Sequence, residues 1–436
     1  MQPHEMGIAE AAAAIRERRL GAVELAQDCL ARIARREPDV RAWQYLDPDA
    51  VLRQARRLDD EPAGGCLHGV PIGIKDIIDT ADMPTEYGSP IYRGHRPAAD
   101  ASCVALLRRA GAVIFGKTVT TEFAFFRPGK TRNPRRLGHT PGGSSSGSAA
   151  AVADLMVPGA LGSQTAGSII RPASYCGVVG YKPSHGDFNL TGIKGLSHSL
   201  DTLGTLTRSA EDAMLLRRAL LGGEAEDVGE PSPRWAPSIA LCKTPSWLEA
   251  SPQTRCGIED LALTLSSLGA RVGEVTLPEG FKQFADLQKT LMAYEAARSL
   301  AHEYDVAPQS LSGPIRELVE QGGSVSREDY LFARSASELG AQQIEPVFER
   351  WDVLLAPSAP GPAPAGVEST GDPVFSRMWM LLGLPTLSLP AFESPDGLPV
   401  GVQLIGARLG DDRLFRCARW VERALSEAGA AGGRGH

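Results

Sequence analysis

The chain has 436 residues, of which 43% are hydrophobic and 22% charged, with a formal net charge of −7, values close to globular averages that exclude disordered and fibrous classes. Basic residues are dispersed rather than striped, so the electrostatic footprint of a nucleic-acid binder is missing. No apolar run reaches the ~20 residues that a membrane-spanning helix requires.

The N-terminal alanine run is bracketed by Glu10 and by Arg16, Glu17 and Arg18, which leaves no signal-peptide core. Cys29, Cys66, Cys103, Cys176, Cys242, Cys256 and Cys417 are odd in number, scattered and without a C-x-x-C pair, as expected of reduced cytosolic thiols. These features predict a cytoplasmic protein of small-molecule chemistry.

From Ala11 to about Arg36, apolar residues recur at helical spacing, with Leu25, Cys29 and Ile33 four apart, predicting one or two amphipathic helices. A further helix is predicted over Asp49–Leu58, ending at the loop Pro62–Gly65. Between His68 and Asp76 apolar residues alternate with glycine, as in a strand that delivers Lys75 to a crowded site. Asp100–Arg109 reads as a helix and Gly111–Gly116 as a buried strand, an order typical of α/β layers.

The run Thr140–Pro172 holds two serine-bearing glycine loops. The first enters a helix over Ala149–Met156; a strand near Ala160 and another over Gly177–Lys182 follow. Gly222–Pro237 is linker-like, Ser238–Leu241 restarts α/β alternation, and Phe284–Arg350 is mostly helical, as a cap would be. Strands are predicted at Trp351–Pro357, Leu384–Pro390 and Val400–Gly406, then a last helix over Asp411–Leu425 and a disordered tail over Gly429–His436.

Two motif spellings mislead. Gly111–Thr118 spells the phosphate loop G-x-x-x-x-G-K-T, but that loop needs a strand before it and a helix after it, and here the helix comes first. Gly143–Gly147 spells G-x-S-x-G with Ser145 at the centre, but no strand can be read in Arg132–His139 before it, so half the context of a nucleophile elbow is missing. A flexible linker fits poorly too, because an apolar helix starts at once.

A serine hydroxyl needs a base before it can attack. Lys75 is the lysine offered; His68, His139, His185 and His198 are rivals, each read as a loop or satisfied buried residue. His68 and His139 lie nearest the loops in sequence, as candidate substrate contacts, and His198 with Asp201 is expected to brace the loop beneath the site. A free lysine has a pKa of about 10.4, so Lys75 serves near neutrality only if its surroundings make it release its proton.

Taken with Lys75, the segments GVPIGIKD, GAVIFGKTVTTEFAF, PGGSSSGSAAAVA, CGVVGYKPSHG, SHSLDTLG, DVLLAPSAPGPAP and LPVGVQLIG, in this order over nearly the whole chain, resemble the amidase signature family of C–N hydrolases. The resemblance implies one α/β domain over residues 1–428, a mixed sheet covered by helices on both faces, with an N-terminal helical segment over 1–60 and a cap-like insertion over 284–350. It implies Lys75 as base, Ser144 as bridging serine after a cis Gly143–Ser144 bond, and Ser168, 24 positions on, as nucleophile. The backbone N–H groups of Thr165, Ala166, Gly167 and Ser168 would form the oxyanion hole, and Gly142, Gly143, Gln164, Arg171 and Trp379 would contact substrate. No metal or cofactor is required, and a homodimer is expected.

The second loop usually reads Asp-Thr-Gly-Gly-Ser-Ile-Arg in such proteins; here it is Gln164-Thr165-Ala166-Gly167-Ser168-Ile169-Ile170, with Arg171 one place late. Acid and base are lost together, so the loop is expected to be braced differently, since losing one alone would strand a buried charge. Ser146 replaces a glycine and Trp379 with Met380 replaces a smaller polar residue, which predicts a narrowed pocket. Arg171 is either an outward structural cation or a grip for an anionic substrate group, and Arg132, Arg135 and Arg136 are read as a solvated face. The activity implied is hydrolysis of a linear amide or ureide of a small molecule. The alternatives are the glutaminase subunit of a tRNA-dependent amidotransferase and a non-catalytic binding protein.

Overall fold

In the computed structural model, which describes residues 2–223 and 235–432 with side chains through 427, eleven described strands join one sheet. They are β1 (Trp43–Tyr45), β2 (Pro71–Lys75), β3 (Val113–Thr118), β4 (Gly159–Gln164), β5 (Val179–Lys182), β6 (Thr202–Thr207), β7 (Ser238–Cys242), β8 (Arg271–Val275), β9 (Val353–Pro357), β10 (Thr386–Glu393) and β11 (Pro399–Ile405). Their order is β1-β3-β2-β4-β6-β5-β10-β11-β9-β7-β8. The sheet is mixed: β2 runs parallel to β3 and β4, and β7 to β8 and β9, while β4–β6–β5–β10–β11–β9 are antiparallel neighbours.

Every residue of β2, β3, β4, β5 and β6 is buried, as expected for strands covered on both sides. Side chains alternate along a strand, and β4 displays the consequence: a Cβ on Gly159 would meet Ile8 and Leu216, whereas one on Gly162 would meet Ser145. The helices Ile8–Arg16 and Ala210–Leu220 therefore cover one face there, and the helix Ser146–Ala153 the other. That last helix starts three residues before Ala149, because Gly147 admits a contact no side chain could: its Cβ would stand 2.3 Å from both Ala42 O and Val119 N.

The section between β8 and β9 is helical, as predicted, with helices Phe284–Ser299, Ala301–Val306, Gly313–Ser324 and Arg327–Arg350. The first of these packs on the helix Val374–Leu381, which the sequence reading did not find. Also unforeseen were β1, β6, β8 and the helices Ile170–Cys176, Ala210–Leu220 and Pro252–Ser267. The last helix runs from Asp411 to Gly432, into the stretch expected to be a tail; residues 433–436, and most of the predicted linker, lie outside the described residues. The cysteines are all free, with five buried. Among the described residues no helix is long and apolar enough to cross a membrane.

Candidate active site

The strand β2 ends on Lys75, whose side chain is fully buried. Its Nζ lies 2.7 Å from Ser144 Oγ, 2.8 Å from Ser163 Oγ and 3.4 Å from Ser163 O. Burial holds this amine well below the usual lysine value, and the nearby charge of Asp201 opposes that only in part. A neutral amine has two N–H donors and one lone pair. Ser163 O can only accept, so the three contacts suit an amine that donates to Ser163 and receives the Ser144 hydroxyl proton.

Ser144 follows a cis Gly143–Ser144 peptide bond. Ser144 and Ser168 line one narrow cavity together with Phe125, Phe126, Thr165, Ala166 and Arg171. Among the described residues nothing hydrogen-bonds the Ser168 hydroxyl. The backbone N–H groups of Thr165, Ala166, Gly167 and Ser168 likewise donate to no described atom, whereas those of Ile169 and Ile170 are both taken by Gln164 Oε1, at 2.8 and 3.0 Å. Four free donors beside an unengaged hydroxyl form the kind of preorganised wall that stabilises a developing oxyanion.

Gln164 thus braces the second loop without charge, its Nε2 donating to Met380 Sδ at 3.2 Å. An amide oxygen accepts the two N–H groups at the start of the helix Ile170–Cys176, and no buried cation is needed to balance it. Gln164 is not among the residues that line the cavity. Trp379, expected to contact substrate, is fully buried and is likewise absent from the cavity lining. Gly142 and Gly143 serve packing, since a Cβ would stand 2.9 Å from Pro172 Cα or 2.7 Å from Thr370 Cγ2 respectively. Ser146 is buried against Val119 O and does not narrow the cavity.

Arg171 does not face outward. It is 3% exposed, lines the cavity, and donates through Nη1 to Gly371 O at 2.7 Å and through Nη2 to Gly143 O at 2.6 Å and Thr370 Oγ1 at 3.2 Å. No carboxylate pairs with it among the described residues, and its Nε is buried without a partner. The arginines at 132, 135 and 136 are solvent-exposed, as expected.

Both misleading motifs have structural explanations. Lys117 is buried, donating to Thr85 Oγ1 at 2.7 Å and to Ile78 O, with Asp76 Oδ1 at 3.8 Å, so it cradles no phosphate. Ser145 is buried on Ser163, its Oγ donating to Ser163 O and accepting from Ser163 N–H, both at 3.2 Å. Ser145→Ala is therefore expected to lower stability by ~1–3 kcal/mol, the cost of stranding buried backbone groups. A lower thermal midpoint with serine reactivity retained would be the result.

The histidines stand apart from this cavity. His68 donates through Nε2 to Leu58 O at 2.9 Å, His139 pairs with Ala365 in an isolated bridge, and His185 and His198 line a different cavity with Arg334. His198 is largely exposed beside Glu295 Oε1. Asp201 does brace the loop: Oδ2 accepts from Leu196 and Ser197 N–H, and Oδ1 from Thr165 Oγ1 at 2.5 Å, while burial raises its pKa to about 6. Sequence reasoning missed Ser163, the second partner of Lys75. Its signal was a polar residue in the glycine-rich strand preceding the second loop.

Comparison with known proteins gives a consistent picture. The Amidase family model matches residues 24–415. A glutamyl-tRNA(Gln) amidotransferase subunit of Microcystis aeruginosa is 34% identical over 457 residues, covering 92% of this chain and 94% of its own. Among solved structures, an inhibitor-bound chain from a vestigial complex that bears on the evolutionary origins of an s-triazine catabolic enzyme superposes with a TM-score of 0.87 at 28% identity, covering 97% of this chain and 99% of that one. The native peptide amidase from Stenotrophomonas maltophilia gives 0.83 at 31% identity, with 97% of each chain covered.

Proposed function

The chain belongs to the amidase family, and from that premise we propose that it hydrolyses the C–N bond of a linear amide or ureide of a small molecule through a serine acyl-enzyme. The observation that carries this reading is the buried contact of Lys75 Nζ with Ser144 Oγ at 2.7 Å, in a cavity that Ser144 shares with the unengaged Ser168.

Neutral Lys75 takes the Ser144 proton as Ser144 takes that of Ser168, and Ser168 Oγ attacks the carbonyl carbon. The oxyanion forms against the free N–H groups of residues 165–168. Such a donor contributes about 3 kcal/mol to the transition state. The proton then returns from Lys75 through Ser144 to the leaving nitrogen, the C–N bond breaks, and water cleaves the ester by the same relay in reverse. Arg171, buried on the cavity wall without a carboxylate partner, favours substrates with a carboxylate or strongly polar group near the scissile amide. The reading includes a cytoplasmic homodimer that needs no metal or organic cofactor.

A second reading, the glutaminase subunit of a tRNA-dependent amidotransferase, is favoured by the 34% identity to one amidotransferase subunit over 94% of its length. A third, a silent binding protein, is opposed by the intact Lys75–Ser144 contact. One experiment separates the three. The purified chain is treated with a fluorophosphonate, the labelled peptide is mapped, and ammonia or amine release is measured from short amides, ureides, amino-acid amides and glutamine. Label on Ser168 with release from a small amide by the chain alone is expected. Glutamine turnover that appears only with added partner subunits selects the second reading, and no label with no release selects the third.

A further inference from the structure

Thr165, the first residue of the loop with four free N–H groups, is held from two sides. Its hydroxyl donates to Asp201, and its carbonyl accepts from Gln288 Nε2 at 3.0 Å. Gln288 is fully buried and comes from the helix Phe284–Ser299, in the section between β8 and β9. Arg377 Nη1 donates to Gln288 Oε1 at 2.6 Å. A guanidinium can only donate, so the Gln288 carbonyl must face Arg377 and its NH₂ must face Thr165. The amide is locked in one orientation by a residue that touches neither serine.

In a planar trans peptide the C=O and the following N–H point in opposite directions. A Thr165 carbonyl turned to Gln288 therefore turns the Ala166 N–H away from that amide, and Ala166 lines the cavity with Ser144 and Ser168. We propose that Gln288, backed by Arg377, is a positioning residue that sets the Thr165–Ala166 peptide so that the Ala166 N–H meets the developing oxyanion. This rests on the serine reading above. The helix that carries Gln288 thereby becomes part of the catalytic frame rather than a passive cover.

Gln288→Glu tests it. The carboxylate keeps the shape and pairs with Arg377, but it has no proton to give Thr165 O. Fluorophosphonate is the probe, because its phosphoryl oxygen occupies the same donors when Ser168 attacks phosphorus and fluoride leaves. The second-order labelling rate is expected to fall ~10- to 100-fold, approaching the loss seen when an oxyanion donor is removed outright, with a lower thermal midpoint from the stranded Thr165 carbonyl but the fold retained and the reversible binding constant little changed. Gln288→Met, uncharged and of similar length, is run alongside in case the glutamate disturbs folding. Either variant, folded and labelling within about twofold of wild type, overturns the proposal, as does a loss confined to reversible binding. Failure of the wild-type chain to label at Ser168 sinks the serine reading itself, so the two failures are distinguishable.

Discussion

Ser168→Ala is expected to abolish acylation, with kcat falling by about 10⁵–10⁶ and no fluorophosphonate label, in line with removal of the nucleophile from other serine hydrolases. Residual turnover of ~10³–10⁴ over water would survive from the oxyanion donors and substrate binding. Stability should hardly change. The Ser168 side chain is 7% exposed on the cavity and no described residue hydrogen-bonds its hydroxyl, so truncation strands no partner and opens no sealed void. A steady-state assay, a label-transfer gel and a thermal melt on one preparation check all three statements. Turnover near the wild-type rate, or label on Ser145, would remove Ser168 from the role.

Much of this arrangement was legible in the amino-acid sequence, and the reasons are physical. Lys75 was visible because apolar residues and glycines alternate up to it, and the structure buries all five residues of β2. The two loops were visible because glycines and serines cluster where backbone must approach closely. The bracing partners were harder to see. Ser163 and Gln164 lie in a strand of small residues, Gly159–Gln164, with no apolar alternation to mark it. The strand β6, Thr202–Thr207, has the same weakness and yet lies inside the sheet.

Gln288 did carry a signal. Phe284, Gln288, Leu291 and Glu295 fall on one helical stripe and are all buried, so two polar groups stand where the periodicity demands apolar ones. A buried polar group needs partners, and Gln288 finds Thr165 and Arg377, while Glu295 finds Ser197, Ser199 and Tyr330. Those partners are distant in sequence, which is why neither role could be read from the stripe alone. Of the two readings of Arg171, the outward one failed for the opposite reason. A charged residue in a loop is assigned to solvent by default, but here three backbone and hydroxyl oxygens draw it inward.

Lys75→Met should lower kcat/KM by ~10²–10⁴, the range for loss of a positioned general base, and it should also erase two pH dependences. On the proposed relay only neutral Lys75 can take the Ser144 proton, so wild-type activity is expected to rise with pH as the lysine deprotonates. Burial moves that rise well below the ordinary lysine range. In Lys75→Met the rising limb should vanish.

The same shift acts on stability. Between the depressed folded value and the unfolded value of about 10.4, the unfolded chain holds one more proton than the folded chain, so wild-type stability rises with pH across that window. Below the folded value both states are protonated and the penalty is complete. Above 10.4 it is gone. Methionine has no proton to lose, so the difference in thermal midpoint between variant and wild type should be constant at low pH and should move in favour of the wild type as pH rises through the window. At every pH the variant leaves the Ser144 and Ser163 hydroxyls without their amine, which sets a constant offset but no slope. A rising activity limb that persists in Lys75→Met would mean that another group is the base.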